Sequence, residues 1–309
     1  MTTTTNWPKV AVVGAGAVGG YFGAMLARAG VPVVLIGRAA FVDAVNRSGL
    51  FLDSIHFQET VHPRASRELS AAADADVVLF CVKSTDTAST AKALAPLLSA
   101  KAVVLSLQNG VNSAEEIRAA SGIDALPAVV YVAASVPLPG RVKHLGRGDL
   151  VLGAQDARSS TIAKLFNSNG VACRLSDNIE GERWAKLIWN CALNAISGLG
   201  NVTYGEIIAS DDAKQVVEAV VYETLNVARA KGIHPPGLED PRAALAGSFQ
   251  IAQQMSGTRS STAQDMRRGK RTEIDSLNGF IARRGTELGV PTPVNHTLYT
   301  LVKLAEDRS

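Results

Sequence analysis

The sequence is sparing with the residues that build disulfides and metal sites. Its 309 residues include three cysteines and five histidines. Cys81, Cys173 and Cys191 are far apart, odd in number and each set in an apolar run. That excludes a disulfide framework and reads as reduced core thiols of a cytoplasmic protein. His56, His62, His144, His234 and His296 show no ligand spacing such as HxxxH, so no metal site is expected. No uninterrupted apolar run approaches the roughly 20 residues that span a bilayer, and no membrane segment is expected. Charge is nearly balanced, at a formal +3. No long basic stripe is interleaved with aromatics, so nucleic-acid binding is not indicated. The threonine-rich residues 1–6 have neither a basic n-region nor an apolar h-region and read as a frayed tail rather than a signal peptide.

What is present is a globular balance, 47% hydrophobic and 19% charged residues, over a length that suits two domains. The first half alternates short β-branched runs (9–13, 31–36, 76–82, 102–107 and 128–132) with helical stretches (21–29, 87–98 and 113–120). The runs are continuously apolar, as in parallel strands buried on both faces. This is the βαβ pattern of a doubly wound sheet. Residues 50–61 read as a small hairpin or insertion, and 140–152 as an antiparallel pair at the domain edge. Beyond about residue 178 strand-like runs vanish and helical patterns follow: 180–199, 213–231, 240–254, 272–288 and 297–306. The expected fold is α/β, a Rossmann-like dinucleotide-binding domain over 1–177 followed by an all-helical substrate and catalytic domain over 178–309. A cleft between the two is the expected site.

Near the start, "KVAVVGAGAVGGYFGAMLARAG" places Gly14, Gly16 and Gly19 in GxGxxG spacing between an apolar strand and a helix. Gly14 permits the tight turn, Gly16 lets the backbone approach a pyrophosphate, and Gly19 allows close helix–strand packing. The loop Gly14, Ala15, Gly16, Ala17, Val18 and Gly19 would then offer helix N-terminal N–H groups to phosphates. The bland alternative is a tight turn without a ligand. The second strand ends in Gly37 and Arg38, where NAD sites usually carry Asp or Glu. A guanidinium there suits a 2′-phosphate, which points to NADPH/NADP+; the alternative is a solvated arginine. Lys83 and Asn109 each follow a strand closely, on the edge where open parallel sheets bind ligands. Against that stands a plain surface loop for Lys83 and a common Asn-Gly turn for Asn109.

In "RWAKLIWNCALNAISGL", Lys186, Asn190 and Asn194 recur every four residues through an apolar background. Taking Lys186 as the origin, Asn190 falls at about 40°, Asn194 at about 80° and Ser197 at about 20° around the axis. An ordinary surface helix shows the reverse proportion, so this one reads as largely buried with one polar edge. The alternative is an edge at the surface whose lysine snorkels to solvent. A partly desolvated lysine has a pKa moved toward neutrality and suits a general acid. Reduction of a ketone leaves an alkoxide that needs such a proton. Further on, "SSTAQDMRRGKRTEIDSLNGF" holds Ser260, Ser261 and Asp265, then the cations Arg267, Arg268, Lys270 and Arg271, which read as a solvated cluster. Thr272 with Asp275 three residues on reads as a capping-box-like helix start.

These motifs, in this order and over nearly the whole chain, resemble the ketopantoate reductase family (2-dehydropantoate 2-reductases). Carrying the resemblance are the N-terminal GxGxxG, VK at 82–83, QNG at 108–110, the WxKLxxNxxxN helix, SSxxxD and RTEIDxxNG. The resemblance implies NADPH-dependent reduction of 2-dehydropantoate to (R)-pantoate, toward pantothenate and coenzyme A. It implies Lys186 as proton donor and Glu273 as the glutamate contacting that lysine, substrate and cofactor. Asn109, Asn190 and Asn194 would be active-site asparagines, with Asn109 also near the cofactor. Ser261 would bind the substrate carboxylate, and Lys83 would lie near the nicotinamide. Thr262 departs from the Met often found there, which bears on substrate identity. Two other readings remain: a same-fold reductase of another 2-oxo or 3-hydroxy acid, and a non-catalytic dinucleotide-binding protein. A small-molecule 2-oxoacid is the expected partner, and a homodimer is compatible with the sequence.

Overall fold

The computed structural model describes residues 7–307; the reading of 1–6 as a frayed tail lies outside them. The chain divides into two compact units. One comprises residues up to Gln108 together with Asn112–Ile179, the other Asn109–Val111 together with Glu180 onward.

The first unit runs β1 (Val10–Val13), α1 (Ala17–Arg28), β2 (Val33–Ile36), α2 (Ala39–Ser48), β3 (Leu50–Ser54), β4 (Gln58–Val61), β5 (Arg64–Ser66), β6 (Val77–Phe80), α3 (Thr87–Leu94), β7 (Val103–Ser106), α4 (Ser113–Ser121), β8 (Leu126–Leu138), β9 (Arg141–Gly153), α5 (Ala157–Ser168) and β10 (Cys173–Ser176). The sheet order is β4-β3-β9-β8-β7-β6-β1-β2-β5, with β10 also on β9. From β8 to β5 all neighbours are parallel. The apolar runs form these strands because both faces are covered: Val10 and Val12 of β1 enter one core cluster, Ala11 and Val13 another. The chain is thus a mixed sheet with a Rossmann-like parallel core, as the sequence indicates.

Residues 50–61 form the expected hairpin, β3 against β4. Residues 140–152 correct the expectation. Residues from 141 on belong to the single strand β9, which is interior to the sheet, antiparallel to β8 and parallel to β3 and β10. Gly140 lies in the turn that joins β8 to β9, whereas Gly146 and Gly148 lie within β9 and mark irregularities, not a turn between two strands. Pairing with β8 shifts register three times, and a Cβ on Gly148, at φ +125°, would meet the Tyr21 hydroxyl at 2.1 Å.

The second unit is helical: α6 (Ile179–Gly200, beginning at the boundary), α7 (Tyr204–Ala209), α8 (Asp211–Ala230), α9 (Pro241–Gln254), α10 (Ser261–Met266), α11 (Asn278–Leu288) and α12 (Pro293–Glu306). Its core gathers Trp184, Leu187, Ile188 and Cys191 of α6 with Val217, Val221, Ile274 and Ile281. The expected helix over 272–288 is corrected. It starts at Asn278, after a single 3-10 turn at Ile274–Ser276. Thr272 does not cap it. Its hydroxyl accepts from the Ile274 N–H at 3.2 Å, while the Asp275 carboxylate accepts from Tyr299 Oη at 2.9 Å and Lys303 Nζ at 3.0 Å. These distant bonds hold the segment out of the helix its local pattern favours. Among the described residues, no helix is long and apolar enough to cross a membrane.

Candidate active site

Among the described residues, the segment Asn109–Val111 is the part of the second unit drawn from the first half of the chain. It leaves β7 three residues past Ser106 and brings Asn109 to α6. There Lys186 Nζ donates to Asn109 Oδ1 at 3.1 Å, and Asn109 Nδ2 donates to Glu273 Oε2 at 3.0 Å. One carboxamide therefore links an ammonium and a carboxylate that are far apart in sequence. Its orientation is fixed by that chemistry, because an ammonium can only donate and an ionised carboxylate can only accept. Lys186, Asn109 and Glu273 are all half-buried.

The surrounding elements set this geometry. Asn278 Nδ2 donates to the Cys191 carbonyl at 3.1 Å and to Asn295 Oδ1 at 3.0 Å, tying the start of α11 to α6. Thr272 N–H donates to Glu306 Oε1 at 2.7 Å. Glu273 lies between these two anchors. On α6, Arg183 is buried; its guanidinium donates to Glu180 Oε2 at 2.9 Å and to the Val111 carbonyl. The sequence reading overlooked Arg183. The signal was available: an arginine one turn from Lys186 on a mostly buried helix needs partners.

The remaining predicted residues divide. Asn190 is half-buried, one turn along α6 from Lys186. Asn194, by contrast, is buried at 4% exposure, and its Oδ1 accepts from Tyr204 Oη at 2.9 Å. Burial pushes the Tyr204 hydroxyl pKa up, keeping it a neutral donor. The Asn194 carbonyl accepts from Ser260 Oγ at 3.0 Å, and Ser197 Oγ accepts from the Ser260 N–H at 3.1 Å. Ser260 in turn caps α10 through the Ala263 N–H, leaving Ser261 exposed on its first turn. Thr262 is buried; a Cβ on Gly198 would lie 2.8 Å from its methyl carbon. The residue that departs from the family pattern thus packs against α6. Arg267, Arg268, Lys270 and Arg271 are exposed.

In the first unit the glycine loop follows β1. Gly14 takes φ +97°, and a Cβ there would fall 2.6 Å from the Val82 nitrogen. A Cβ on Gly19 would lie 2.8 Å from a Val12 methyl. At Gly16 it would meet nothing within 4 Å, so the space before the helix is open. The N–H groups of Gly14 and buried Ala15 are spent on the Ile36 carbonyl, at 3.0 and 2.9 Å. The first-turn donors of α1, from Ala17, Val18 and Gly19, face neither a side-chain cap nor an acidic residue. This cradle suits an anionic pyrophosphate. Arg38 is exposed at the N-cap of α2. Lys83 is half-buried just past β6. Its loop is held by Gln108, whose Nε2 donates to the Val82 carbonyl at 3.0 Å and to Thr87 Oγ1 at 2.8 Å. The three thiols are free, and burial pushes that of Cys173 up to about 12. Among the described residues, no group of three or more potential metal ligands occurs.

A dinucleotide cradle with a lysine-bearing helical unit defines a class of nicotinamide-dependent oxidoreductases. Residues 10–157 match the family described as "Ketopantoate reductase PanE/ApbA", and residues 178–306 its C-terminal counterpart. The chain belongs to the ketopantoate reductase family, which is one of NADPH-dependent oxidoreductases. Among solved structures, a PanE/ApbA family ketopantoate reductase from Ralstonia eutropha superposes with a TM-score of 0.92 at 48% identity, covering 97% of this chain and 99% of that one. The 2-dehydropantoate 2-reductase of Halobacterium salinarum is 32% identical over 305 residues, 96% of this chain and 99% of its own. A D-mandelate dehydrogenase solved with NADH and anilino(oxo)acetate has a TM-score of 0.90 at 26% identity, covering 97% and 99%.

Proposed function

We propose that this protein reduces a 2-oxoacid with NADPH, and that the substrate is 2-dehydropantoate, giving (R)-pantoate on the way to pantothenate and coenzyme A. The observation that carries the proposal is the Asn109 carboxamide held between Lys186 and Glu273. In this reading residues 1–177 bind the dinucleotide and 178–309 bind substrate and carry the acid. When bound, NADPH supplies the hydride that adds to the carbonyl carbon. Lys186 Nζ polarises the carbonyl oxygen and delivers a proton to it. Asn109 holds that ammonium by its oxygen and Glu273 by its amide, so the donor is oriented before substrate arrives. Asn190, Asn194 and Ser261 supply hydrogen bonds to the substrate, with Ser261 on its carboxylate. Gly14 to Gly19 receive the pyrophosphate at the α1 N-terminus, with Arg38 on the 2′-phosphate and Lys83, Asn109 and Glu273 toward the nicotinamide. A cytoplasmic setting is supported by the three free thiols.

The likeness to a D-mandelate dehydrogenase solved with NADH favours a second reading with the same chemistry, an aryl 2-oxoacid reduced with NADH. Steady-state oxidation of NADPH and of NADH by the purified protein, across ketopantoate, phenylglyoxylate and other branched 2-oxoacids, separates the two. The first reading expects the highest kcat/KM for ketopantoate with NADPH. Preference for phenylglyoxylate with NADH selects the second, and no turnover of any 2-oxoacid rejects both.

A further inference from the structure

Asn109 meets Lys186 and Glu273 from a three-residue segment whose Val111 carbonyl is bonded by the Arg183 side chain of α6. We infer that Arg183 is a positioning residue of the site: it anchors the Val111 carbonyl and so sets where the Asn109 carboxamide stands. The inference rests on Lys186 being the proton donor.

Four observations carry it. The Arg183 guanidinium, 8% exposed, reaches across 72 positions of sequence to the Val111 carbonyl. The Val111 side chain is itself 3% exposed within the second unit's core, so the segment is fixed by both its backbone and its side chain. Asn109 precedes Val111 by two residues, and two trans peptide links span no more than about 7 Å. Pinning one therefore confines the other. Finally, Arg183 and Lys186 stand at i and i+3, neighbours on one helix face. The face that presents the ammonium also fixes the backbone of its partner.

The residue type follows from the two jobs. Nη1 pairs with Glu180 Oε2 at 2.9 Å while Nη2 serves Val111. Glu180 Oε1 also accepts from Trp184 Nε1 at 3.1 Å, which limits how far the carboxylate can swing. A planar five-donor fork satisfies both acceptors at once, whereas an ammonium on a flexible stem is a single point. Loss of the fork leaves a buried carbonyl without its donor and frees the Asn109 segment to shift.

The test is a double-mutant cycle on the full-length protein, with Arg183→Met, Arg183→Lys and Asn109→Ala alone and in combination, under ketopantoate and NADPH. Arg183→Met should lower kcat about tenfold or more, with the KM for NADPH within about twofold, and Arg183→Lys should fall between it and wild type. On an Asn109→Ala background either Arg183 change should cost less than about a further twofold, because both act through one carboxamide. Additive losses, or a kcat within about twofold of wild type in both Arg183 variants, overturn the inference. So does an Asn109→Ala enzyme with undiminished kcat beside an impaired Arg183→Met. Thermal unfolding of each variant is recorded alongside; if Arg183→Met does not stay folded at assay temperature, Arg183→Lys carries the same cycle. Near-normal turnover in Lys186→Ala would instead sink the proton-donor reading, whatever Arg183 does.

Discussion

Lys186 and Asn190 share one edge of α6 with Asn194 and Ser197, yet the two halves of that edge are used differently. The first half is half-buried, and its lysine is bonded to a side chain from elsewhere in the sequence that also holds a carboxylate. The second half is buried, and its bonds go to the loop before α7, to Tyr204 and to Ser260. Helical period reveals that a polar edge exists. It says nothing of what lies against each turn, and burial with hydrogen-bond partners decides that. The contrast predicts that substitutions in the first half cost activity and that those at Ser197 cost stability, with Asn194, proposed to reach the substrate, standing between the two.

The largest effect should come from Lys186→Ala. Removing the proton donor should lower kcat by about two orders of magnitude or more, the scale of general acid catalysis. Thermal unfolding should move much less than turnover, since the side chain is only half-buried. A large fall in Tm at near-normal turnover would reverse the contrast at its strongest point.

Ser197→Ala is the mirror experiment. The hydroxyl is fully buried; it donates to the Val202 carbonyl at 2.7 Å and accepts from Ser260 N–H at 3.1 Å. Stranding both partners should cost about 1–3 kcal/mol, readable in urea unfolding. Turnover per folded molecule should stay within about twofold of wild type, because no reacting group is touched. Lost turnover at unchanged stability would place Ser197 with Lys186.

How much of this was legible beforehand follows the same division between local pattern and distant partner. The parallel strands announced themselves because burial on both faces leaves continuous apolar runs, and α6, α8 and α9 because their apolar period is long. Strand β9 was misjudged because glycine signals a turn locally, while Gly148 is there to clear the Tyr21 ring. The 272–277 segment looked like a helix start, but Glu306, Tyr299 and Lys303 outcompete the local cap. Within the site, Lys186, Asn109 and Glu273 could each be singled out by motif. Their joining through Asn109 spans 77 and 164 positions of sequence, which no local pattern encodes. Arg183, and the hold of Gln108 on the Lys83 loop beyond its place in the QNG motif, escape the sequence for the same reason: what they hold lies elsewhere in the chain.

Arg38 extends the contrast to the first unit. Its side chain has no hydrogen bond or ion pair among the described residues and is exposed, so stability gives it no reason to be there. Arg38→Ala should leave Tm unchanged and raise the KM for NADPH about tenfold more than that for NADH, the value of one charge-assisted contact to phosphate. An equal effect on both cofactors would remove it from the 2′-phosphate.

Tyr204→Phe should have the smallest effect and makes the finest cut, because it acts on Asn194 without removing it. The Tyr204 hydroxyl engages Asn194 Oδ1 inside the second unit. Deleting it leaves one neutral acceptor short of a donor, a loss of about 1 kcal/mol in unfolding free energy. Only the carboxamide oxygen is tied in this way, and Nδ2 makes no hydrogen bond among the described residues. An unchanged KM for the 2-oxoacid would mean that Asn194 only knits α6 to α7 and the Ser260 loop, and would remove it from the substrate. Because Nδ2 is the group proposed to reach the substrate, freeing the amide to rotate should raise that KM several-fold while kcat holds, since uniform binding and not transition-state contact is lost. The first result keeps the catalytic edge to Lys186 and Asn190. The second carries it a full turn further along α6, and the division between the halves then runs through the Asn194 side chain, oxygen to the fold and nitrogen to the substrate.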